Sequence, residues 1–353
     1  MLTARWTALV LAAALAAGVA GCGSSDTQGT DVKKVAFVAP YADNEPDWTL
    51  QAQDVVSEWV RLGRVRVDKV DASQSDDVRA VLEQVSHEGN QLVLAHDSRY
   101  ADAAEAVAEQ TRVPELVWGE RSDTPDGLVG EITVPDDTAG GYMAGLVAAK
   151  SAYTRRLGIV VIADGSDWDT TTWNRMAGGF IAGARSIDPK IELSYTQVGE
   201  NGSASVREVR AATMRMIRHH GTQMVFGLGG AATLGALQAI DEAAGESQYV
   251  GVIGDKAQFN RENNVLVSVM LDTRPAFERA LRDVRTGRFG ERPYALTLRN
   301  RGVWLFQTGR TPADAYDAGI RAGEQITRGR LRVPVTPTRE AVDALLAGEA
   351  PEG

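Results

Sequence analysis

Lys34-Val-Ala-Phe-Val-Ala39 is followed by Pro40, a polar loop through Asn44 and Glu45, and then Trp48. An unbroken apolar run of this length, closed by proline, reads as a strand buried on both faces. From Trp48 onward apolar residues fall at helical spacing, at Val55, Val56, Trp59 and Val60. The stretch is thus a strand, a turn and a helix, and the pattern recurs along the chain. Gln91-Leu-Val-Leu-Ala95, Glu115-Leu-Val-Trp118, Leu157-Gly-Ile-Val-Val-Ile162, Met224-Val-Phe226 and Tyr249-Val-Gly-Val-Ile253 are apolar strands of the same kind. Others are expected over 64–70, 128–134, 191–197, 265–271 and 302–305. Helical periodicity lies between them, as over 76–87, 205–218 and 275–285, and again over 311–328 and 339–346. Strands alternating with helices make a parallel α/β architecture. A chain of 353 residues exceeds one ordinary domain, so two doubly wound lobes are expected.

The first thirty residues have a different character. Arg5 precedes an apolar run over 8–20, too short for a comfortable membrane span, and small residues lead to Cys22. This is the layout of a secretory signal peptide. Val19-Ala-Gly-Cys22 resembles the lipobox of bacterial lipoproteins, in which the cysteine is lipidated and becomes the new N-terminus. Cys22 is the only cysteine in the chain; without a disulfide partner it needs a role, and lipidation supplies one. The alternative is an ordinary signal peptide with a chance cysteine. Residues 23–30 are small and polar, as a tether should be. The net charge of −10 describes an acidic surface and argues against nucleic acid as a partner.

In open α/β sheets, ligands sit beyond the carboxyl ends of the strands. The residues to read for function are therefore Asn44, Glu45, Trp48, Asp97, Asp164, Trp168, Gly229, Gly230 and Asp255, with Phe226 closing its strand. Gly227-Leu-Gly229-Gly230-Ala-Ala232 fits the dinucleotide fingerprint G-x-G-x-x-A, but no acidic residue ends the next strand at the expected distance. The competing reading is that the glycines let a ligand approach the backbone. Trp48, Trp168 and Trp173 cluster at predicted strand ends, where aromatic faces suit a flat ring; simple packing is the alternative for each. Asp97, Asp137 and Asp255 could accept hydrogen bonds from ligand hydroxyls, with helix capping as the competing role for Asp137. Of the four histidines, His219-His220 suits a helix C-terminus, where a cation meets the dipole. No metal-ligand spacing and no G-x-S-x-G nucleophile elbow occurs. Hydrolysis by a carboxylate pair stays open, with nothing in the spacing to favour it.

Taken together, Lys34-Val-Ala-Phe-Val, the Asn44-Glu45-x-x-Trp48 loop, the small-residue helix Asp137-Thr-Ala-Gly-Gly-Tyr-Met-Ala-Gly-Leu-Val-Ala-Ala149, Asn174-Arg-Met-Ala-Gly-Gly-Phe-Ile-Ala-Gly-Ala184 and Ile253-Gly-Asp255 resemble the basic membrane protein (BMP, PnrA-like) family. Its members are lipid-anchored substrate-binding proteins of ABC transporters, and many take up purine nucleosides. The resemblance covers roughly residues 32 to 335. It implies a type I periplasmic-binding-protein fold, two parallel-sheet lobes joined by three crossovers. The implied division is a signal peptide over 1–21 and a lipidated tether over 22–31. Lobe one then covers 32–134 and 256–297, lobe two covers 135–255 and 298–338, and a tail covers 339–353.

The implied function is capture of a nucleoside-like ligand in an interlobe cleft, without catalysis or cofactor, by a monomer on the extracytoplasmic face of the membrane, for delivery to an ABC permease. The resemblance places Asn44, Glu45, Trp48, Gly229, Gly230 and Asp255 in the site, with Asp255 on the ribose, and the strand-end reading adds Asp97, Asp137, Trp168 and Phe226. Two departures are visible: Leu271 stands where many members have lysine, and Gly119 where a carboxylate is expected, with Glu120 one residue on. A ligand-sensing regulatory lipoprotein of the same fold is the alternative function, and a nucleoside or carbohydrate hydrolase a third.

Overall fold

The computed structural model describes residues 31–349 apart from 42–45, 74, 76, 120–126, 163–166, 201–203, 231, 244, 246 and 260–262. The signal segment, Cys22, the tether, Asn44, Glu45, Glu120 and Asp164 therefore lie outside the described residues, as do the side chains of Asp47 and Trp168.

The opening unit folds as its pattern requires. Strand β1 (Lys34–Ala39) is interior, paired in parallel with β2 (Arg66–Asp71) on one side and β3 (Val93–Ala95) on the other. Its five residues from Val35 to Ala39 are buried, which explains the continuous apolar run. Helices α1 (Pro46–Arg61), α2 (Val78–His87) and α3 (Ala101–Thr111) connect the strands, and β4 (Glu115–Trp118) and β5 (Val129–Thr133) extend the sheet. The first sheet is completed by β11 (Tyr294–Ala295), in the order β11-β5-β4-β3-β1-β2.

The chain crosses to the second sheet through α4 (Asp137–Ser151). There β6 (Arg156–Ile162), β7 (Glu192–Val198), β8 (Met224–Leu228), β9 (Gln248–Ile253) and β10 (Val265–Leu271) alternate with α5 (Asp167–Ile187), α6 (Val206–His220) and α7 (Ala232–Glu242). The order is β12-β10-β9-β8-β6-β7, with β12 (Val303–Gln307) antiparallel on the edge. Helix α8 (Arg274–Thr286) returns to the first lobe, where Glu278 Oε1 accepts from Trp59 Nε1 at 2.9 Å and Phe277 packs on Phe37. Helices α9 (Ala313–Thr327) and α10 (Arg339–Ala347) end the described chain. The sheets are thus joined by three crossings, as the expected fold class requires.

Two boundaries differ from the expectation. The return to the first lobe was expected at 256, but β10 belongs to the second sheet, so the crossing follows Leu271. All seven β10 residues are buried, and such a strand needs neighbours on both sides, supplied by β9 and β12. The helix expected over 339–346 forms as α10, but it is no separate tail, because it docks on α5: Val342 is buried, and the Arg185 guanidinium donates to the carbonyls of Leu345 and Leu346.

Helices α4 and α5 meet almost backbone to backbone. A Cβ at Gly141 or Gly145 would lie closer than 3.0 Å to the carbonyls of Met176 or Phe180, and one at Gly179 or Gly183 would collide with those of Thr138 or Tyr142. The glycines recur every four residues on each helix, so they form one facing stripe per helix. This contact fixes the start of α4 against α5.

Candidate functional site

The carboxyl ends of β1, β3 and β4 carry an aromatic cluster built on a histidine. Trp48, in the first turns of α1, stacks on His96 at 5.2 Å between centroids and lies 4.7 Å from Trp118. The Trp118 Nε1–H donates to His96 Nδ1 at 3.0 Å, so that nitrogen is unprotonated. His96 Nε2 therefore carries the proton and donates to the Trp48 carbonyl at 3.1 Å, while Trp48 Nε1 donates back to the His96 carbonyl at 3.2 Å. Burial penalises the imidazolium and pushes the His96 pKa down to about 4. The ring is a neutral bracket that holds Trp48 at the sheet edge.

Asp97 follows at the β3 end as expected, and it is buried. Its carboxylate grips Arg99, with Oδ1 and Oδ2 accepting from Nε and Nη2 at 2.8 and 2.7 Å, and Oδ1 also accepts the Arg99 backbone N–H. Asp97 thus serves first as the cap of a short 3-10 turn, Ser98–Tyr100, and as an anchor for Arg99. From that turn Ser98 Oγ donates to Asp169 Oδ2 at 3.1 Å. Asp169 lies in the first turn of α5, so this bond joins the carboxyl edge of the first sheet to that of the second.

On the second lobe, Asp137 is buried at the start of α4. Its Oδ1 accepts from the Thr138 N–H at 2.5 Å and the Thr138 hydroxyl at 3.1 Å, and Oδ2 lies 3.6 Å from Arg175 Nη1. Asp136, the N-cap, makes no cap bond; it accepts the Leu298 N–H at 2.7 Å and so ties the first crossing to the third. Gly229 turns the chain after β8 at φ +97, and Gly230 follows half-buried. Asp255, half-buried, follows Ile253 and Gly254. Ile253 has φ +76, a costly conformation for a β-branched residue, and so the turn that presents Asp255 is strained. Lys256 beside it is fully buried, its stem over Gly251, and burial pushes its amine well below the usual lysine range.

Phe226 was expected at the cleft, but it is fully buried and stacks on Phe180 at 4.5 Å. The reason is strand length: β8 runs on through Gly227 and Leu228, so the strand ends two residues beyond Phe226. Leu271, in place of the family lysine, is buried at the end of β10, and Gly119 is buried after β4. His219 and His220 close α6 as expected. Sequence reasoning missed His96, Trp118, Ser98, Asp169 and Arg175. The available signal was position, since His96 and Ser98 flank Asp97 just past a strand. Among the described residues no group of three or more His, Cys, Asp or Glu is placed to hold a metal, and no helix is long and apolar enough to cross a membrane.

Comparison with known proteins agrees with this layout. Residues 32–292 match the family model for ABC transporter substrate-binding proteins, PnrA-like. The ABC transporter nucleoside-binding protein BmpA of Lactococcus lactis is 23% identical over 349 residues, 92% of this chain and 97% of that one. The transcriptional activator protein med of Bacillus subtilis is 23% identical over 276 residues, 77% of this chain and 81% of its own. A solute-binding protein of an ABC transporter system from Conexibacter woesei superposes with a TM-score of 0.69 at 21% identity, covering 86% of this chain and 99% of that one. The chain belongs to the PnrA-like family of ABC-transporter substrate-binding proteins.

Proposed function

We propose that this protein captures a nucleoside in the cleft between its lobes and hands it to an ABC permease, held at the extracytoplasmic face of the membrane by a lipid on Cys22. The observation that carries the reading is the bracketed indole of Trp48 at the carboxyl edge of the first sheet. Its immobilised face suits a nucleobase, for which stacking on an aromatic ring contributes about 1–3 kcal/mol. On the second lobe Gly229, Gly230 and Asp255 follow strand ends, where backbone and carboxylate would meet a ribose. Asn44 and Glu45 belong to the same proposed site by their family positions and Trp168 by its place after a strand, whereas Asp97 and Asp137 support it by fixing Arg99 and by packing against Arg175. The nucleoside-binding relative in Lactococcus supports the choice of ligand class.

The test is mass spectrometry of small molecules released when the purified protein is denatured, followed by calorimetry with adenosine, guanosine and uridine. Nucleoside in the released fraction and saturable binding are expected, with the nucleoside recovered intact. A protein that releases a sugar and ignores nucleosides sinks the assignment. For the anchor, Cys22→Ser should release the protein from the membrane fraction; retention of the variant refutes lipidation.

A regulatory role for the same fold is favoured by one finding, the similarity to the transcriptional activator med. Deleting the gene and following nucleoside uptake separates the two: loss of uptake supports transport, and unchanged uptake with altered transcription supports regulation.

A further inference from the structure

A second cavity, of about 320 Å³, lies between α9 and the start of β12, beside the carboxyl end of β10. One wall is a face of α9, where Ile320, Glu324, Thr327 and Arg328 recur at helical spacing, and Met143 of α4 reaches the same space. The opposite wall is Leu298, Val303 and Trp304, from the third crossing and the β12 edge strand that follows. The volume is within the range of small-molecule sites, and the walls are mainly apolar. The rim is not. Two arginines, Arg301 and Arg328, stand there against one lining carboxylate, Glu324. Arg301 lies over the Trp304 ring at 5.4 Å, and Arg328 stands at the mouth, paired with Glu324 at 3.3 Å.

We propose that this cavity is a second ligand site, for a small molecule with an apolar body and one acidic group. The body would lie against Trp304, Ile320, Met143 and Leu298, and the acidic group on Arg328. The guanidiniums select the sign: a cation would meet Arg301 and Arg328 against a single lining carboxylate, Glu324. The carbonyl end of α9 is also here, and its dipole opposes an anion, so the acidic group must engage the guanidinium and not the helix end. Glu324 already occupies that guanidinium, and the ligand must displace it. The site shares no lining residue with the strand-end cluster, so it stands or falls apart from the nucleoside reading.

The experiment uses two fluorescent probes, 8-anilinonaphthalene-1-sulfonate and its neutral counterpart N-phenyl-1-naphthylamine, with the whole folded protein. The sulfonate should bind saturably to one site. Thr327→Trp, which fills the cavity from an outer position, should weaken both probes by about tenfold or more, because an occupied cavity resists further packing. Arg328→Gln should weaken the sulfonate about two- to fivefold, the scale of an exposed ion pair, and leave the neutral probe unchanged. Glu324→Gln should tighten the sulfonate about twofold by freeing the arginine. Circular dichroism of each variant confirms that it is folded. Sulfonate binding indifferent to Thr327→Trp overturns the site. Binding that responds to Thr327→Trp but not to Arg328→Gln overturns the acidic ligand class.

Discussion

Acidification should dismantle the aromatic bracket, and the size of the effect follows from His96. In the folded protein its pKa is about 4, against an ordinary value near 6.5 when the chain is unfolded. A base with a depressed folded pKa contributes stability that is complete above the unfolded value and is lost as pH falls from about 6.5 towards 4. Linkage puts the loss at about 2 kcal/mol at pH 5 and about 3 kcal/mol at pH 4. Both ring nitrogens are engaged, Nδ1 as acceptor from Trp118 and Nε2 as donor to Trp48, so protonation also removes the only acceptor for the Trp118 bond at this ring. His96→Gln cannot titrate, and its amide can still donate to the Trp48 carbonyl. The assay is the melting temperature of wild type and variant from pH 8 to pH 4. The variant should start lower because it packs less well, and the gap should narrow by about 4 °C on going to pH 5, at about 2 °C per kcal/mol for a chain of this size. Tryptophan fluorescence should show Trp48 becoming more solvated in wild type alone. Parallel melting curves across the range would mean that His96 stays neutral for other reasons or is not buried in solution, and would refute the reasoning.

Glu115 should act in the opposite sense. It is fully buried in β4, and burial, only partly offset by the neighbouring Ser86 hydroxyl, pushes its pKa up to about 9. Stability should then fall as pH rises from about 4.5 to 9, by roughly 4 kcal/mol between pH 5 and pH 8, and Glu115→Gln should abolish that slope in denaturant titrations. Gly145→Ala should destabilise by about 2 kcal/mol, because overpacking against the Phe180 carbonyl outweighs the better helix propensity of alanine, and urea midpoints will show it. Trp48→Ala should weaken nucleoside binding by about 1–3 kcal/mol in calorimetry. Asp255→Asn should weaken a ribonucleoside by about ten- to a hundredfold and a 2′-deoxynucleoside less, since a bond to a charged acceptor contributes roughly 1.5–3 kcal/mol.

What the sequence made legible was local. Continuous apolar runs such as Val35–Ala39 and Leu157–Ile162 mark buried parallel strands because they are short and rich in β-branched residues, which separates them from a buried helix. The same signal could not say which sheet a strand joins. Val265–Leu271 reads as doubly buried, but whether its neighbours are β9 and β12 or strands of the first lobe depends on contacts far away in sequence. Strand ends were legible only where a polar or breaking residue follows, as after Ala39 and Ala95; the glycine after Phe226 looked like such a break and was instead a strand residue under Tyr249. In the site, Trp48 and Asp97 could be read because they fall at strand ends. The Arg99 guanidinium on Asp97 could not be read from spacing alone, nor could the Ser98–Asp169 bond, whose partners are 71 residues apart. Glu115 was also invisible, since the first residue of a strand is usually solvated.

Each half of the candidate site draws its rigidity from a different source. On the first lobe, Trp48 is held by hydrogen bonds and rings that all converge on His96, itself anchored at the end of β3 and packed against Phe37 and Phe277. On the second, Asp137 and Arg175 are brought together because the glycine stripes of α4 and α5 let two backbones touch, and Asp169 sits at the head of the same α5. Neither half can deform cheaply, for one is a buried neutral ring with both nitrogens engaged and the other a helix pair whose backbones touch at the glycine stripes. Motion that admits a ligand must then fall on the crossings. Among the described residues, hydrogen bonds that span the two lobes include Ser98 to Asp169 at the cleft edge, Gln51 to Asp272 and Thr273 at the second crossing, and Asp136 to Leu298 between the first and third, and one hydrophobic cluster holds residues of both lobes. Such bonds exchange readily for water, whereas a repacked core does not. On the proposed reading, hinge motion would exchange these hydrogen bonds for water and would also have to part the apolar contacts that the two lobes share.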